Sequence, residues 1–352
     1  IGGGSEKVKP LIKEQVIVLE EYYKFLLTEG KVFSAHSILN YFRFLHQISL
    51  VIPKPYSMWT EKDVRDFFFN FENNNEKHPT KYTSNWYKVI LKRFVKWLNR
   101  PELTSWIKIK QIELKTFNEN ELVWPKDIKL LIEKCDNIRD RCMIIVAWEF
   151  GLRVGELVGI KIRDVVITEN GVRIKVNGKT GERTVFGIDS KSYIEELINN
   201  HPYKSNINSP LFINISRRMY GRQIGELGFY MLLQKAAKDC GLYNTIKIHP
   251  HLLRHSRATY DVVVLKLTEQ MLRIKYGWKK DSQMVARYTH LNEKHVEEVY
   301  LKSRGLPTEE NNNHEVEKDV LKAKICEKCN RLFSTTNMFC NYCIEEDKKK
   351  KE

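Results

Sequence analysis

The chain has 352 residues, 42% of them apolar and 11% aromatic, enough to bury a core and too apolar for a disordered tail. Lys and Arg number 59 against 44 Asp and Glu, a net charge of +15. That excess points to a polyanionic partner, nucleic acid first, although a solubilising surface would give the same count. The longest apolar run, Met143 to Trp148, is far short of the ~20 residues that cross a bilayer, and no secretory hydrophobic region opens the chain. The expectation is a cytoplasmic, nucleoid-associated protein with no membrane contact.

Taken in chain order, residues 1–5 read as a cleavage scar and are set aside. From residue 8 to about 105, apolar residues recur at helical spacing: Val16, Leu19, Tyr22, Tyr23 and Leu26, then Ile38, Tyr41, Phe42 and Leu45, then Tyr87, Ile90, Leu91, Phe94, Trp97 and Leu98. This predicts a helical domain of four or five helices. Thr60 ahead of Glu61 and Asp63 reads as a capped helix start. The last helix sets Lys88, Lys92, Arg93 and Lys96 away from Ile90 and Trp97, a pattern that suits tracking of DNA phosphates or an ordinary solvated face.

Residues 106–123 lose the period and suit a linker, and a second domain is expected over 124–303. It begins with a helix after Pro125, followed by one from Arg139 to Phe150 that stops at Gly151. Val165 to Thr168, Val172 to Val176 and Arg183 to Phe186 are short β-branched runs separated by Asn170-Gly171 and Asn177-Gly178, which predicts a three-stranded meander. Helices return after Asp189. The fold class expected is therefore mainly α with a small antiparallel β-sheet. Residues 304–324 are polar and acidic and read as a tether, 325–345 as a metal-binding module and 346–352 as a charged tail. The basic excess lies upstream of the tether, in the two larger domains.

Five residues suited to handling phosphate stand at separate places in the second domain: Arg153, Lys179, His251, Arg254 and Tyr288. A tyrosine hydroxyl with a pKa near 10 is only about a thousandth ionised at neutral pH, so its attack on a phosphodiester needs positioning and charge neutralisation. Two guanidiniums meet that need, because each offers paired donors to non-bridging oxygens in a geometry that lysine lacks. His251 and Arg254, three apart, project from one helix face.

Four segments, GLRVGEL, VNGKTGERTVF, HPHLLRHSRATY and YGWKKDSQMVARYTHL, resemble in order and spacing the boxes of the tyrosine recombinase family, the lambda integrase and Xer-like enzymes. The likeness covers residues 8–303, strongly from 124 onward. It implies a helical core-binding domain, similar to a SAM-like domain, that closes with the catalytic domain as a basic clamp on duplex DNA. It also implies Tyr288 as nucleophile, Lys179 as proton donor to the leaving 5′ oxygen and His251 as an aid to proton transfer. No cofactor is implied for catalysis.

Glu156 stands at the family's acidic position, where it would fix Arg153 or His251 unless it is a plain surface residue. The family's Gly-His, nine residues before the nucleophile, is here Gly277-Trp278, ten before. Trp278 is accordingly expected to donate its indole N–H to the phosphate or to pack in the core, with Lys279 or Lys280 as substitutes. Tyr260, Tyr276 and Tyr300 lack the Y-x-H context and fit packing roles.

The reading implied is a DNA strand transferase acting on double-stranded DNA with specific recombination sites, as a homotetramer on DNA and a monomer or dimer when free. It serves mobile-element integration and excision or dimer resolution. A type IB topoisomerase-like relaxation enzyme and a non-catalytic zinc-containing DNA-binding regulator are the alternatives. Cys326, Cys329, Cys340 and Cys343 form C-x2-C-x10-C-x2-C, the spacing of a structural zinc site held by four thiolates, with disulfides as the other option. Some twenty residues cannot supply a core, so the metal would supply the folding energy. Cys135, Cys142 and Cys240 sit on helical patterns and read as ordinary thiols.

Overall fold

In this computed structural model the residues described are 10–29, 35–73, 79–109, 119–178, 181–280, 282, 284–289, 300–301, 304–305, 320–322, 324–329, 332–333, 340 and 343. The chain divides into two compact units, Ile1–Leu114 and Lys115–Glu352.

The first unit is built from α1 (Lys13–Thr28), α2 (Ala35–Val51), α3 (Glu61–Glu72) and α4 (Lys81–Trp97). Thr60 and Asp63 cap α3 reciprocally: the Asp63 N–H donates to Thr60 Oγ1, and the Thr60 N–H donates to Asp63 Oδ2 at 2.7 Å. The core is rich in aromatics, with Tyr22, Phe44, Phe67 and Phe94 all buried. On α1 the inward stripe runs Gln15, Leu19, Tyr22 and Leu26 rather than through Val16, which faces solvent. Gln15 turns inward because its amide serves the end of α2, donating to the Ile52 carbonyl at 2.9 Å and the Lys54 carbonyl at 3.1 Å. Trp106 and Ile107, assigned to a linker by composition, pack on this core.

The second unit is organised around α6 (Ile138–Phe150), buried on every side from Cys142 to Phe150. Against it lie α5 (Pro125–Glu133), the short α7 (Val154–Val158), α8 (Lys191–Asn199), α9 (Glu226–Asp239) and α10 (Pro250–Val263). The small sheet is a meander of β1 (Val165–Thr168), β2 (Gly171–Gly178) and β3 (Gly181–Gly187), all antiparallel. Its first turn is made by Glu169 and Asn170, one residue before the expected Asn170-Gly171, with Gly171 already in β2 and paired with Thr168. The second does not fall at Asn177-Gly178: both residues stay in β2, paired with Glu182 and Gly181. A glycine is needed at 178 for a different reason, since a Cβ there would come within 2.2 Å of Glu156 Oε1.

After α10 come α11 (Glu269–Tyr276) and α12 (Ala286–Thr289). Gly151 and Gly277 end α6 and α11 in the left-handed conformation, with φ of 58° and 62°, a region that a side chain resists. The cysteine segment contributes β4 (Lys324–Ile325) paired with β5 (Leu332–Phe333), and β5 lies against α8. Leu321 is buried in the core of the same unit. Among the described residues no helix is long and apolar enough to cross a membrane.

Candidate active site

The left-handed turn at Gly151 releases the chain from α6 and sets Arg153 as the residue that starts α7. Three residues on, Glu156 folds back: its Oε2 accepts the Arg153 N–H at 2.9 Å and its Oε1 accepts Arg153 Nη1 at 2.8 Å. Two further bonds reach it from β3, where Arg183 Nη1 donates to Oε1 at 2.9 Å and Nη2 to Oε2 at 2.8 Å. Burial of Glu156 would raise its pKa, but the hydrogen bonds from Arg183 and from the Arg153 backbone prevail and bring it down to about 2. It is thus a permanent anion that fixes Arg153, and the charge that fills its second side is Arg183 rather than His251.

Helix α10 brings up His251 and Arg254. Arg254 is buried and donates from Nη1 to the Gly151 carbonyl at 2.7 Å and from Nη2 to the Tyr276 carbonyl at 2.8 Å, with Nη1 also 3.9 Å from Glu156 Oε2. Burial, then the charge of Arg153, lowers its pKa to about 10, so it stays cationic at neutral pH. His251, on the exposed side of the helix, is lowered by partial desolvation and then by His249, Arg254 and Arg153. Arg153, His251 and Arg254 therefore share one electrostatic neighbourhood. The Arg153 side chain keeps 29% of its exposure, so an anion can reach it.

Tyr288 on α12 is 1% exposed. Its ring stacks on Trp278, with centroids 5.6 Å apart and planes at 6°, and Trp278 stacks on Tyr276 at 4.8 Å and 17°. The Arg254 guanidinium lies 4.9 Å from the Tyr276 ring centroid, so a cation and three rings form one column. The Tyr288 hydroxyl hydrogen-bonds His255 Nδ1. Burial raises the Tyr288 pKa above the ordinary phenol range, against the lowering effect of Arg287 and Arg254. Burial also depresses His255, to about 3, together with the charges of Arg287, His251 and Arg254. Trp278 acts here as the spacer between two tyrosine rings, the packing alternative for this residue.

Lys179 lies outside the described residues, between the paired Gly178 and Gly181. Tyr260 and Tyr276 are buried and pack as expected, Tyr260 against Trp148 and Tyr276 through a hydroxyl that donates to Asp261 Oδ2 at 2.7 Å. Tyr300 is 71% exposed. In the first unit, Lys88 pairs with Glu72 at 2.6 Å, Lys92 donates to the Ile107 carbonyl at 3.0 Å and Arg93 pairs with Glu29. Lys96 is exposed beside a groove of about 940 Å³ lined by Phe25 and Trp97.

Sequence reasoning missed Arg183, His255 and the buried acid Asp261. Arg183 carried one faint signal, a cation inside an otherwise strand-like run. His255 adjoins Arg254, but nothing local says that it meets Tyr288, thirty-three residues away.

The Sγ atoms of Cys326, Cys329, Cys340 and Cys343 all lie within 4.8 Å of one another. The Cys326–Cys343 and Cys329–Cys340 separations are 3.6 Å each. A tetrahedral zinc with Zn–S of about 2.3 Å sets its sulfurs roughly 3.8 Å apart, whereas a disulfide needs about 2.05 Å. The four thiols thus fit a closed structural site.

Residues 122–295 match the phage integrase family. The chain is 26% identical over 310 residues to the tyrosine recombinase XerC of Staphylococcus saprophyticus, a span covering 83% of this chain and 99% of that protein. It is also 26% identical over 236 residues to the tyrosine recombinase XerA of Saccharolobus solfataricus, covering 65% and 70%. Its fold is similar to that of a lambda integrase dimer bound to a COC′ core site, with a TM-score of 0.59, 15% identity and coverage of 78% and 76%. It is likewise similar to the XerH site-specific recombinase bound to difH substrate before cleavage, with a TM-score of 0.57, 18% identity and coverage of 84% and 97%.

Proposed function

The chain belongs to the phage integrase family of tyrosine recombinases, and from that premise we propose that it cuts and rejoins duplex DNA at specific sites through a 3′-phosphotyrosyl bond on Tyr288. The observation that carries this reading is that Arg153 and Arg254 flank the buried Glu156 carboxylate while His251 shares their electrostatic neighbourhood, with His251 and Arg254 on α10, the helix that contacts α12.

In the proposed reaction the Tyr288 oxygen attacks the scissile phosphorus and the bond to the 5′ oxygen breaks. Arg153 and Arg254 neutralise the non-bridging oxygens as charge builds. His251 takes up or relays the phenol proton, and Lys179 protonates the departing 5′ oxygen. The phosphodiester energy stays in the tyrosyl link, so a 5′ hydroxyl from another strand reverses the step without ATP or metal. Because Tyr288 is 1% exposed and its hydroxyl is bonded to His255, that hydroxyl has to be released and uncovered before it attacks the phosphate.

Lambda integrase has been solved as a tetramer on a Holliday junction, and four protomers on two duplex sites are the assembly proposed here. The four-cysteine site is proposed to hold zinc for structure, away from the chemistry. The deciding experiment uses nicked duplex substrates that trap the intermediate. An SDS-stable adduct is expected with the native protein and none with Tyr288→Phe; an adduct that persists in Tyr288→Phe refutes the assignment. Relaxation of supercoiled DNA without site preference would instead favour a topoisomerase.

A further inference from the structure

Three separate segments meet at the guanidinium of Arg183. Its Nη1 and Nη2 donate to the two oxygens of Glu156, and its Nε donates at 2.9 Å to the Lys275 carbonyl at the end of α11. The next carbonyl, that of Tyr276, takes Arg254 Nη2. The Arg183 side chain is only 9% exposed, so these bonds are made away from bulk water.

The consequence is one of charge. Each Glu156 oxygen accepts one bond from Arg153 and one from Arg183, which fills the lone-pair positions of the carboxylate. Arg183 also cancels its charge. Without Arg183, a buried anion would sit beside Arg153 and 3.9 Å from Arg254 Nη1 with no other cation among the described residues donating to it. Both guanidiniums would then be drawn to Glu156 instead of to a phosphate. A lysine at 183 would supply the charge but not the fork, nor the third bond that ties α7 and β3 to α11.

We infer that Arg183 is a positioning residue for strand transfer: by neutralising Glu156 and clamping it to the end of α11, it keeps Arg153 and Arg254 available to the scissile phosphate. This rests on the function proposed above. It differs from a purely structural role in that its effect should depend on the charge of the phosphate.

The test compares native protein, Arg183→Met and Arg183→Lys on nicked duplexes whose scissile group is either a phosphate or a methylphosphonate, in which a methyl replaces one non-bridging oxygen and removes the negative charge. On phosphate, Arg183→Met is expected to form the adduct about 100-fold more slowly, the scale of a misplaced catalytic group, with DNA affinity within about 3-fold of native. On methylphosphonate the deficit should shrink to less than about 10-fold. Arg183→Lys should fall between, with its deficit again confined to phosphate. This variant decides the matter if thermal melting shows Arg183→Met to be unfolded. Equal deficits on both substrates, or a native rate on phosphate, would overturn the proposal. If the native protein forms no adduct, the Tyr288 assignment itself falls, and the positioning role with it.

Discussion

Replacing Asp261 by Asn tests how the floor of the site is held. Asp261 is fully buried on α10 and accepts from Arg257 Nε at 2.8 Å and Tyr276 Oη at 2.7 Å, with Lys275 Nζ 2.6 Å away. One anion thus serves two nearly buried cations. Burial alone would raise its pKa, but Arg257 and then Lys275 hold it below the usual carboxylate range. The amide keeps the shape and removes the charge, which leaves Arg257 and Lys275 facing each other. Breaking a buried pair by neutralising one partner costs about 3–5 kcal/mol. For a unit of this size each kcal/mol moves the melting temperature by roughly 2–4 °C, so a drop of about 6–20 °C is expected.

The assay is thermal and urea unfolding at several pH values. The Lys275 pKa is already lowered to about 8 by burial and by Arg257, against the opposing pull of Asp261. The loss should therefore be larger at pH 6, where the ammonium must be charged, than at pH 9. Lys275→Met in the Asp261→Asn background should recover part of it by removing one orphan cation. A loss below about 1 kcal/mol at pH 6 would refute the view that this cluster is tightly coupled.

Two further predictions concern His255 and the cysteines. An unfolded imidazole binds its proton near pH 6.5, whereas folded His255 binds it only at about 3. The unfolded chain therefore binds more protons between those values, and stability is full above about pH 6.5 and is lost as pH falls toward 3. His255→Asn should flatten the unfolding free energy between about pH 6.5 and 5.5, above most carboxylate titration, and an unchanged slope would contradict the assignment. For the cysteines, metal analysis should find one zinc per chain, lost in Cys340→Ser. Chelation should leave adduct formation intact, and its abolition by EDTA would sink the metal-free mechanism.

The periodic features of the sequence carried the fold. Helix α6, the Gly151 stop, the Thr60 cap and the first hairpin turn are set by interactions within a few residues, which is the range that spacing and propensity report. Gln15 defeated that reading because a polar residue can face inward when distant carbonyls receive it, here those of Ile52 and Lys54. Asn177-Gly178 defeated it too, since the same dipeptide that favours a turn also suits a strand pressed against a carboxylate. The motif residues of the site were recognisable one at a time. Their partners were not, because the bonds from Arg183 to Glu156, from Lys275 to Asp261 and from Tyr288 to His255 join residues that only tertiary packing brings together.

The anchoring of Arg183 and Arg254 rests largely on the backbone. Arg254 is held by the carbonyls of Gly151 and Tyr276, and Arg183 in part by that of Lys275. A carbonyl belongs to the path of the chain and not to the identity of the residue that bears it. Side chains at 275 and 276 can drift without erasing those acceptors, provided that α11 still ends in the same place. The frame that aims the arginines therefore depends on where α11 ends rather than on which side chains stand at its last two positions.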